Sequence, residues 1–425
     1  MRQQSRLRRT FLFLQGPHGS FFPKLGCGLE AAGHQVRRIN FNGGDRATWP
    51  SGTDFRGRPA DWPTFFKTYL SKEGVTDIIL FGDSRPHHVE AVTVARAANV
   101  RIHVFEEGYI RPDWVTLERD GVNGHSRLSR DPKWYLEQAR GLPAPPAYEP
   151  IPSYTTARGW AAFFYYAEVV LQHWRFPFHG SHRSRNPVWE GISFLRRFSR
   201  HDEDAAQTEQ DLLKLKGSRY FLFPLQLNSD YQIRVHSPFG EMRPAIEVVL
   251  RSFARNAPDG VMLAVKEHPL DSGLKDWRAV VAEMGASLGI ADRIAFLEQG
   301  DLLELVNGSL GMVTVNSTSG TLSLAAGKPV KVLGDAVYDI PRITDQNPLD
   351  VFWIRPTAPD PATYDAFHRV LAHQCLLHGA FLSNAGIDLL VSAAVDRLTD
   401  EGPVDLALPV AAPVDLALPV AAQQR

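Results

Sequence analysis

Five short clusters in this 425-residue chain combine residue types and spacings that could do chemistry. Gln15-Gly16-Pro17-His18-Gly19 joins glycines, which let a backbone approach a ligand, to an imidazole just before a helical segment whose first N–H groups suit an anion. The same residues also make a tight strand-to-helix turn, and they match neither a Walker A loop nor GxGxxG. Glu106-Glu107-Gly108-Tyr109-Ile110-Arg111-Pro112 sets two carboxylates near an arginine: a base, a grip on sugar hydroxyls, or a solvated acidic loop. Asp230 stands among the amides of Gln226, Asn228 and Gln232, placed to be a nucleophile or base, or simply a helix cap. Lys266-Glu267-His268-Pro269 ends an apolar run, so its charges point to a sheet edge, where Lys266 and His268 could neutralise a phosphate. Asn316-Ser317-Thr318-Ser319-Gly320 opens a helical stretch with more hydroxyls and amides than one N-cap requires, the composition of an anion site.

A single phosphate held by Lys266, His268 and Ser317 needs no divalent ion, and no metal-ligand spacing occurs in the chain. These features lean toward a nucleoside monophosphate donor of CMP type rather than a sugar diphosphate. No metal and no cofactor beyond such a donor is expected.

Each cluster follows a strand-length apolar run. Phe11–Leu14, Gln35–Ile39, Asp77–Phe81 and Arg101–Phe105, with helical stretches at 22–32 and 89–98, read as βαβ units and so as a parallel sheet. A second such pattern runs through 220–225, 261–265, 294–297, 311–315 and 330–333, with helices at 243–254, 277–288 and 302–305. The expected fold is α/β: two doubly wound Rossmann-like domains facing a cleft, with ligands at the strand ends. The domains are drawn at 1–140 and 216–375. Between them, 141–215 holds a stretch with five prolines at 141–153 and an aromatic, basic helical insertion; a helix at 376–400 and a disordered tail at 401–425 close the chain. Residues 403–412 recur unchanged at 413–422, too short and proline-broken a repeat to stack as a solenoid.

The charge balance, 46 Lys and Arg against 47 Asp and Glu, argues against nucleic acid as a partner. Two cysteines give neither a disulfide framework nor a zinc motif. No apolar run approaches the roughly 20 residues that span a bilayer. The basic start leads into only Phe11–Leu14, too short for the apolar core of a secretory signal, so a cytoplasmic protein is expected.

In their order, the motifs Leu14-Gln15-Gly16-Pro17-His18-Gly19-Ser20-Phe21-Phe22, Ile39-Asn40-Phe41-Asn42-Gly43-Gly44-Asp45, Glu106 to Pro112, Pro224-Leu225-Gln226 with Asp230, Glu267-His268-Pro269 and Asn316 to Gly320 resemble the capsular polysaccharide biosynthesis and export family of KpsS/LipB type in Gram-negative bacteria. The resemblance covers roughly residues 10–385. It implies a GT-B-like retaining glycosyltransferase that moves β-Kdo from CMP-Kdo to phosphatidylglycerol or its lyso form, beginning the linker on which capsule is exported. By that similarity Asp230 is the nucleophile, Glu107 the acid/base partner and His268 the third catalytic residue. Lys266, Asn316, Ser317, Thr318, Gly320 and Gln226 fall on the donor side, and Gly16, His18, Asn42, Asp45 and Arg111 on the acceptor side. Other capsule assembly and export proteins are implied partners, on the inner face of the inner membrane.

A lipid acceptor gives meaning to residues 157–201, where Trp160, Phe163, Phe164, Tyr165, Tyr166, Trp174, Phe176 and Trp189 interleave with seven arginines against Glu168 and Glu190 alone. Such a segment suits an anionic membrane surface, or else forms a helix pair packed on the core. Two rivals stand beside the transferase: a non-catalytic export factor that binds the glycolipid, and a non-hydrolysing nucleotide-sugar epimerase on the same two-domain scaffold.

Overall fold

The computed structural model describes residues 8–151, 155–179, 204–271 and 273–400, with the backbone alone at 155–158. The strands in chain order are β1 (Thr10–Phe13), β2 (Gln35–Asn40), β3 (Thr53–Asp54), β4 (Asp77–Phe81), β5 (Arg101–Glu107), β6 (Trp114–Arg119), β7 (Arg219–Pro224), β8 (Val261–Lys266), β9 (Ile294–Leu297), β10 (Met312–Thr314), β11 (Val330–Val332) and β12 (Leu376–His378). They form two sheets, one in each of two units.

The first unit comprises residues 1–129, 144–182 and 371–425. Its sheet runs β12-β6-β5-β4-β1-β2-β3, parallel from β3 to β5 and antiparallel at β6 and β12. Near-continuous apolar runs such as Phe11–Leu14 and Ile78–Leu80 are wholly buried, as strands covered on both faces must be. Helices α1 (Phe21–Ala31), α2 (Gly43–Thr48), α3 (Trp62–Lys72) and α4 (Pro86–Ala97) supply the layers. One face packs Trp62, Phe66 and Val92, and the other packs Phe21, Phe22 and Leu25 with Leu390 and Leu398 of the helix Asn384–Thr399. That helix is therefore part of the first unit rather than a separate element, because its apolar stripe completes the α1 layer.

At the amino edge of this sheet, Asp77 is fully buried and takes hydrogen bonds from Arg9 Nε (2.9 Å), Arg101 Nε (2.8 Å) and His103 Nε2 (2.8 Å). Burial pushes the carboxyl pKa up, but His103, Arg9 and Arg101 outweigh it and hold Asp77 well below the usual carboxylate range. The cluster ties β1, β4 and β5 together at the end opposite the strand-end loops, so its role is to hold the sheet.

The second unit comprises 130–143 and 183–370, so the first domain ends nearer 129 than 140. Helix α5 (Pro132–Gln138) belongs here, with Tyr135 edge-on to Phe367. The sheet is parallel, β11-β10-β7-β8-β9, around a core including Phe221, Phe223, Phe253 and Trp353.

Of the proline-rich stretch, residues 144–151 run extended on the first unit. Tyr148 stacks on His378 at 3.7 Å, and the Ile151 N–H donates to Asp113 (3.1 Å). Helix α6 (Thr155–Leu171) follows and packs on α2, so the insertion is not a separate middle domain. The arginines at 183, 185, 196, 197 and 200, with Trp189, Glu190, the side chain of Arg158 and the repeat at 403–422, lie outside the described residues.

Candidate functional site

In each doubly wound sheet, chain order reverses beside the first strand, and the loops at the carboxyl ends of the two strands flanking that switch point are where such folds bind ligands. In the second unit these strands are β7 and β10, followed by Gln226 and Asn316; in the first they are β1 and β4, followed by Gln15 and Gly82.

Gln226 is buried, donates through Nε2 to Asn316 Oδ1 (2.9 Å) and accepts the Asn316 backbone N–H (3.2 Å). Both hydrogens of the Asn316 amide are used, on the carbonyls of Gln232 and His236 (2.8 Å each). These two residues therefore lock the switch point to the loop that carries Asp230. Asp230 caps the one-turn helix Tyr231–Arg234, accepting the Gln232 N–H at 3.0 Å, with its side chain partly exposed.

Lys266 and His268 leave the end of β8, next to β7. Lys266 is buried, and its Nζ donates to the carbonyls of Glu267 and Glu298 (3.1 Å each). The Glu298 side chain is fixed in turn by Arg278 (2.6 Å) and by the Thr208 hydroxyl (2.9 Å). His268 Nδ1 accepts the Leu270 N–H at 3.0 Å, which puts the proton of the neutral ring on Nε2, the donor a phosphate oxygen requires. Ser317 and Thr318 stand at the end of β10, where Ser317 Oγ accepts from the Ser319 N–H (3.1 Å) and hydroxyl (2.9 Å). The Ser317 carbonyl accepts the Tyr338 hydroxyl. A Cβ on Gly320 would lie 2.4 Å from that hydroxyl oxygen, so Gly320 is there to admit Tyr338 rather than a ligand. This edge thus presents an imidazole and hydroxyls, with the Lys266 ammonium buried behind them on two carbonyls.

In the first unit, Glu107 closes β5 and its carboxylate lies 4.0 Å from Arg111, both partly exposed; the Arg111–Pro112 peptide is cis. Gly108 is required by close approach, since a Cβ would fall 2.2 Å from the Trp114 carbonyl. Tyr109 is buried and donates to Glu118, while the Asn123 N–H donates to the Tyr109 oxygen (2.7 Å). The glycine and tyrosine of this motif anchor the turn and leave its carboxylates at the edge. Gly82, at a φ of +67°, brings the end of β4 beside Glu106, whose Oε2 lies 3.2 Å from where a Cβ would be.

The remaining residues that the resemblance assigns to an acceptor converge on Tyr165 of α6. Its hydroxyl donates to Asp45 Oδ1 (2.8 Å) and accepts from Gln15 Nε2 (2.7 Å) and Asn42 Nδ2 (2.9 Å), and His18 packs on its ring at 4.5 Å. Asn42 and Asp45 are 1% and 2% exposed, so they hold this clasp from within and are not placed to touch a ligand. Burial first, then the Asp45 carboxylate, push the Tyr165 pKa well above its ordinary value, which keeps its proton in place. The space beside Gly16 is filled by the ring of Phe22, 2.5 Å from a built Cβ, and is not left for a ligand.

Sequence reasoning missed Tyr165 as the hub and missed Asp83. That buried carboxylate follows β4 and accepts from the Val122 N–H (3.0 Å) and the Ser84 hydroxyl (2.9 Å), with His125 Nδ1 at 3.1 Å. A histidine forty residues away leaves no local signal of the pairing; helical spacing around Tyr165 did contain one.

The family described as capsule polysaccharide biosynthesis protein matches residues 76–382. The capsule polysaccharide modification protein LipB of Neisseria meningitidis serogroup B is 36% identical over 88% of this chain and 92% of its own. The capsule polysaccharide export protein KpsS of Escherichia coli is 33% identical over 85% and 94%. Among solved structures, the β-Kdo 2,7 transferase KpsC of Thermosulfurimonas dismutans aligns with 91% of this chain and 99% of its own, at 14% identity and a TM-score of 0.41. The match runs through the strand-end loops of both units, from β4 and Glu107 to Asp230, His268 and Ser317, and with it the chain belongs to the capsule polysaccharide biosynthesis family.

Proposed function

We propose that the protein is a retaining glycosyltransferase of capsule assembly, moving Kdo from CMP-Kdo in β linkage to a phosphatidylglycerol or lyso-phosphatidylglycerol terminus. One observation supports the reading: at the carboxyl edge of the second sheet, His268, Ser317 and Thr318 follow strands that end at or next to a switch point braced by Gln226 and Asn316. That edge suits one phosphate without a divalent ion, and a CMP-sugar has one phosphate.

In this mechanism Asp230 attacks the anomeric carbon as its bond to the phosphate oxygen breaks, and CMP departs with the electron pair. His268 Nε2–H and the hydroxyls of Ser317 and Thr318 offset the charge gathering on that phosphate, with the buried Lys266 ammonium adding its field from behind. An acceptor hydroxyl then displaces the Asp230 ester oxygen and gives up its proton to a base, the part that the family resemblance implies for Glu107, and two inversions restore the configuration. The acceptor is a membrane lipid, so the protein works at the inner face of the inner membrane beside other capsule assembly and export proteins.

The cap that Asp230 makes on Gln232 favours a second reading, a non-catalytic export factor that binds the glycolipid and needs Asp230 for shape alone. Incubation with CMP-Kdo generated in situ and a fluorescent phosphatidylglycerol separates the two. A mass increase of one Kdo unit with wild type and none with Asp230→Ala supports transfer. No increment, where a known Kdo transferase gives one, returns the export factor.

A further inference from the structure

We infer that α6 is an interfacial helix that docks the first unit on an anionic bilayer, with Trp160, Phe163 and Phe164 seated at headgroup level. The inference deepens the lipid-acceptor reading by naming the membrane-facing surface. Positions 160, 163, 164 and 171 recur at helical spacing, so they lie on one stripe, and their side chains are 61%, 61%, 62% and 68% exposed. Trp160 stacks on Phe164 (5.9 Å, 29°) with Phe163 edge-on to both, an aromatic cluster in open water. Trp174, just past the helix, is 72% exposed. Apolar side chains gathered this way on a soluble surface mark an interaction site.

The opposite stripe explains why the aromatics stay outside. A Cβ on Gly43 would fall 2.2 Å from the Glu168 carbonyl, and one on Gly44 would fall 2.7 Å from the Tyr165 ring, so the two glycines let α2 lie directly against α6. Tyr165 is then fastened to Asp45, Gln15 and Asn42. Beyond the helix, Arg175 Nε donates to Asp54 (2.7 Å), which Arg46 also meets at 3.2 Å. With one face fixed, rotation cannot hide Trp160 or Phe163.

Charge and length identify the occupant. In sequence, the segment 157–201 that contains α6 is basic, with seven arginines against two glutamates, of which Arg175 is held by Asp54; such a composition draws a chain to anionic headgroups. Among the described residues no helix is long and apolar enough to cross a membrane, so α6 lies along a bilayer rather than through it.

The test is flotation of the full chain with vesicles of phosphatidylcholine alone and of phosphatidylcholine mixed with phosphatidylglycerol. Wild type is expected to float with the mixed vesicles, and Trp160→Ser/Phe163→Ser/Phe164→Ser to bind them at least about tenfold more weakly with an unchanged urea midpoint. Equal flotation of both proteins overturns the inference. So does a wild-type dimer in sedimentation that the triple variant converts to monomer without change in flotation, which would assign the stripe to a second copy. Transfer to a short-chain, water-soluble phosphatidylglycerol is read in parallel. Vesicle binding without any transfer supports docking while removing the transferase reading, and transfer without vesicle binding does the reverse.

Discussion

Gln226 and Asn316 exchange hydrogen bonds side chain to side chain and side chain to backbone, joining the ends of two strands that lie 90 residues apart in sequence. The pair makes the loop carrying Asp230 a fixed object, because Asn316 also holds the Gln232 and His236 carbonyls. Gln226→Leu leaves the side-chain oxygen and the backbone N–H of Asn316 without their partners, which costs about 1–3 kcal/mol. The expected result is a lower urea midpoint for the second unit and faster hydrogen exchange across residues 230–234. An unchanged midpoint would remove the bracing role.

Asp230→Asn separates cap from chemistry. Asparagine caps a helix as well as aspartate does, so stability should move by only a few tenths of a kcal/mol. A nucleophile, by contrast, is lost outright, and transfer should drop by about 10⁴. Product mass and a urea melt on the same preparation read both, and retained transfer would exclude Asp230 as the nucleophile.

Gly43→Ala drives a methyl group into the Glu168 carbonyl, and backbone cannot give way as a side-chain tip can. Overpacking of this kind costs about 1–3 kcal/mol. The α6 segment should become more sensitive to limited proteolysis, while Gly74→Ala, where nothing lies within 4 Å of the built Cβ but φ is +60°, should leave α6 protected. Equal protection of α6 in both variants would show that the glycine seat is dispensable.

Acid should weaken the first unit through His103. Burial lowers the His103 pKa, opposed by its hydrogen bond to Asp77, so the folded ring stays neutral to lower pH than the unfolded one. As pH falls through about 6.5, the unfolded chain takes up a proton that the folded chain refuses. Stability then falls by up to about 1.4 kcal/mol per pH unit until the folded pKa is reached. The depressed Asp77 carboxyl adds stability above the usual carboxylate range that is lost only in stronger acid. Urea midpoints between pH 7.5 and 5.5 should slope downward in wild type and less so in His103→Gln; parallel slopes would clear His103 of the effect.

The parallel strands were legible because each is a short apolar run ended by a turn, and the clusters drawn from the sequence do sit at their carboxyl ends. The β6–β12 edge was not. Leu376–His378 is three residues long and pairs with Trp114–Thr116 from the other end of the chain, so nothing local announces it. Glycines misled in a specific way. Gly16 and Gly320 look like openings for a ligand, yet they face Phe22 and Tyr338 of the protein itself. The aromatic run at 160–166 contained the answer in its period: Tyr165 lies off the stripe of Trp160, Phe163 and Phe164, and the structure turns that offset into one anchored face and one bare one.

The first unit is assembled from both chain ends. Arg9 donates to the Leu398 carbonyl at 2.5 Å, and Leu390 and Leu398 complete the layer over Phe21 and Phe22. During synthesis the residues of the second unit, ending at 370, emerge from the ribosome before β12 and the helix Asn384–Thr399 do. The second unit can therefore finish folding while the first still shows an open sheet edge and an uncovered aromatic layer. A nascent chain stalled before residue 398 would be a substrate for holding chaperones, and shortening the gene into the Asn384–Thr399 helix would trap the protein permanently in that half-built state.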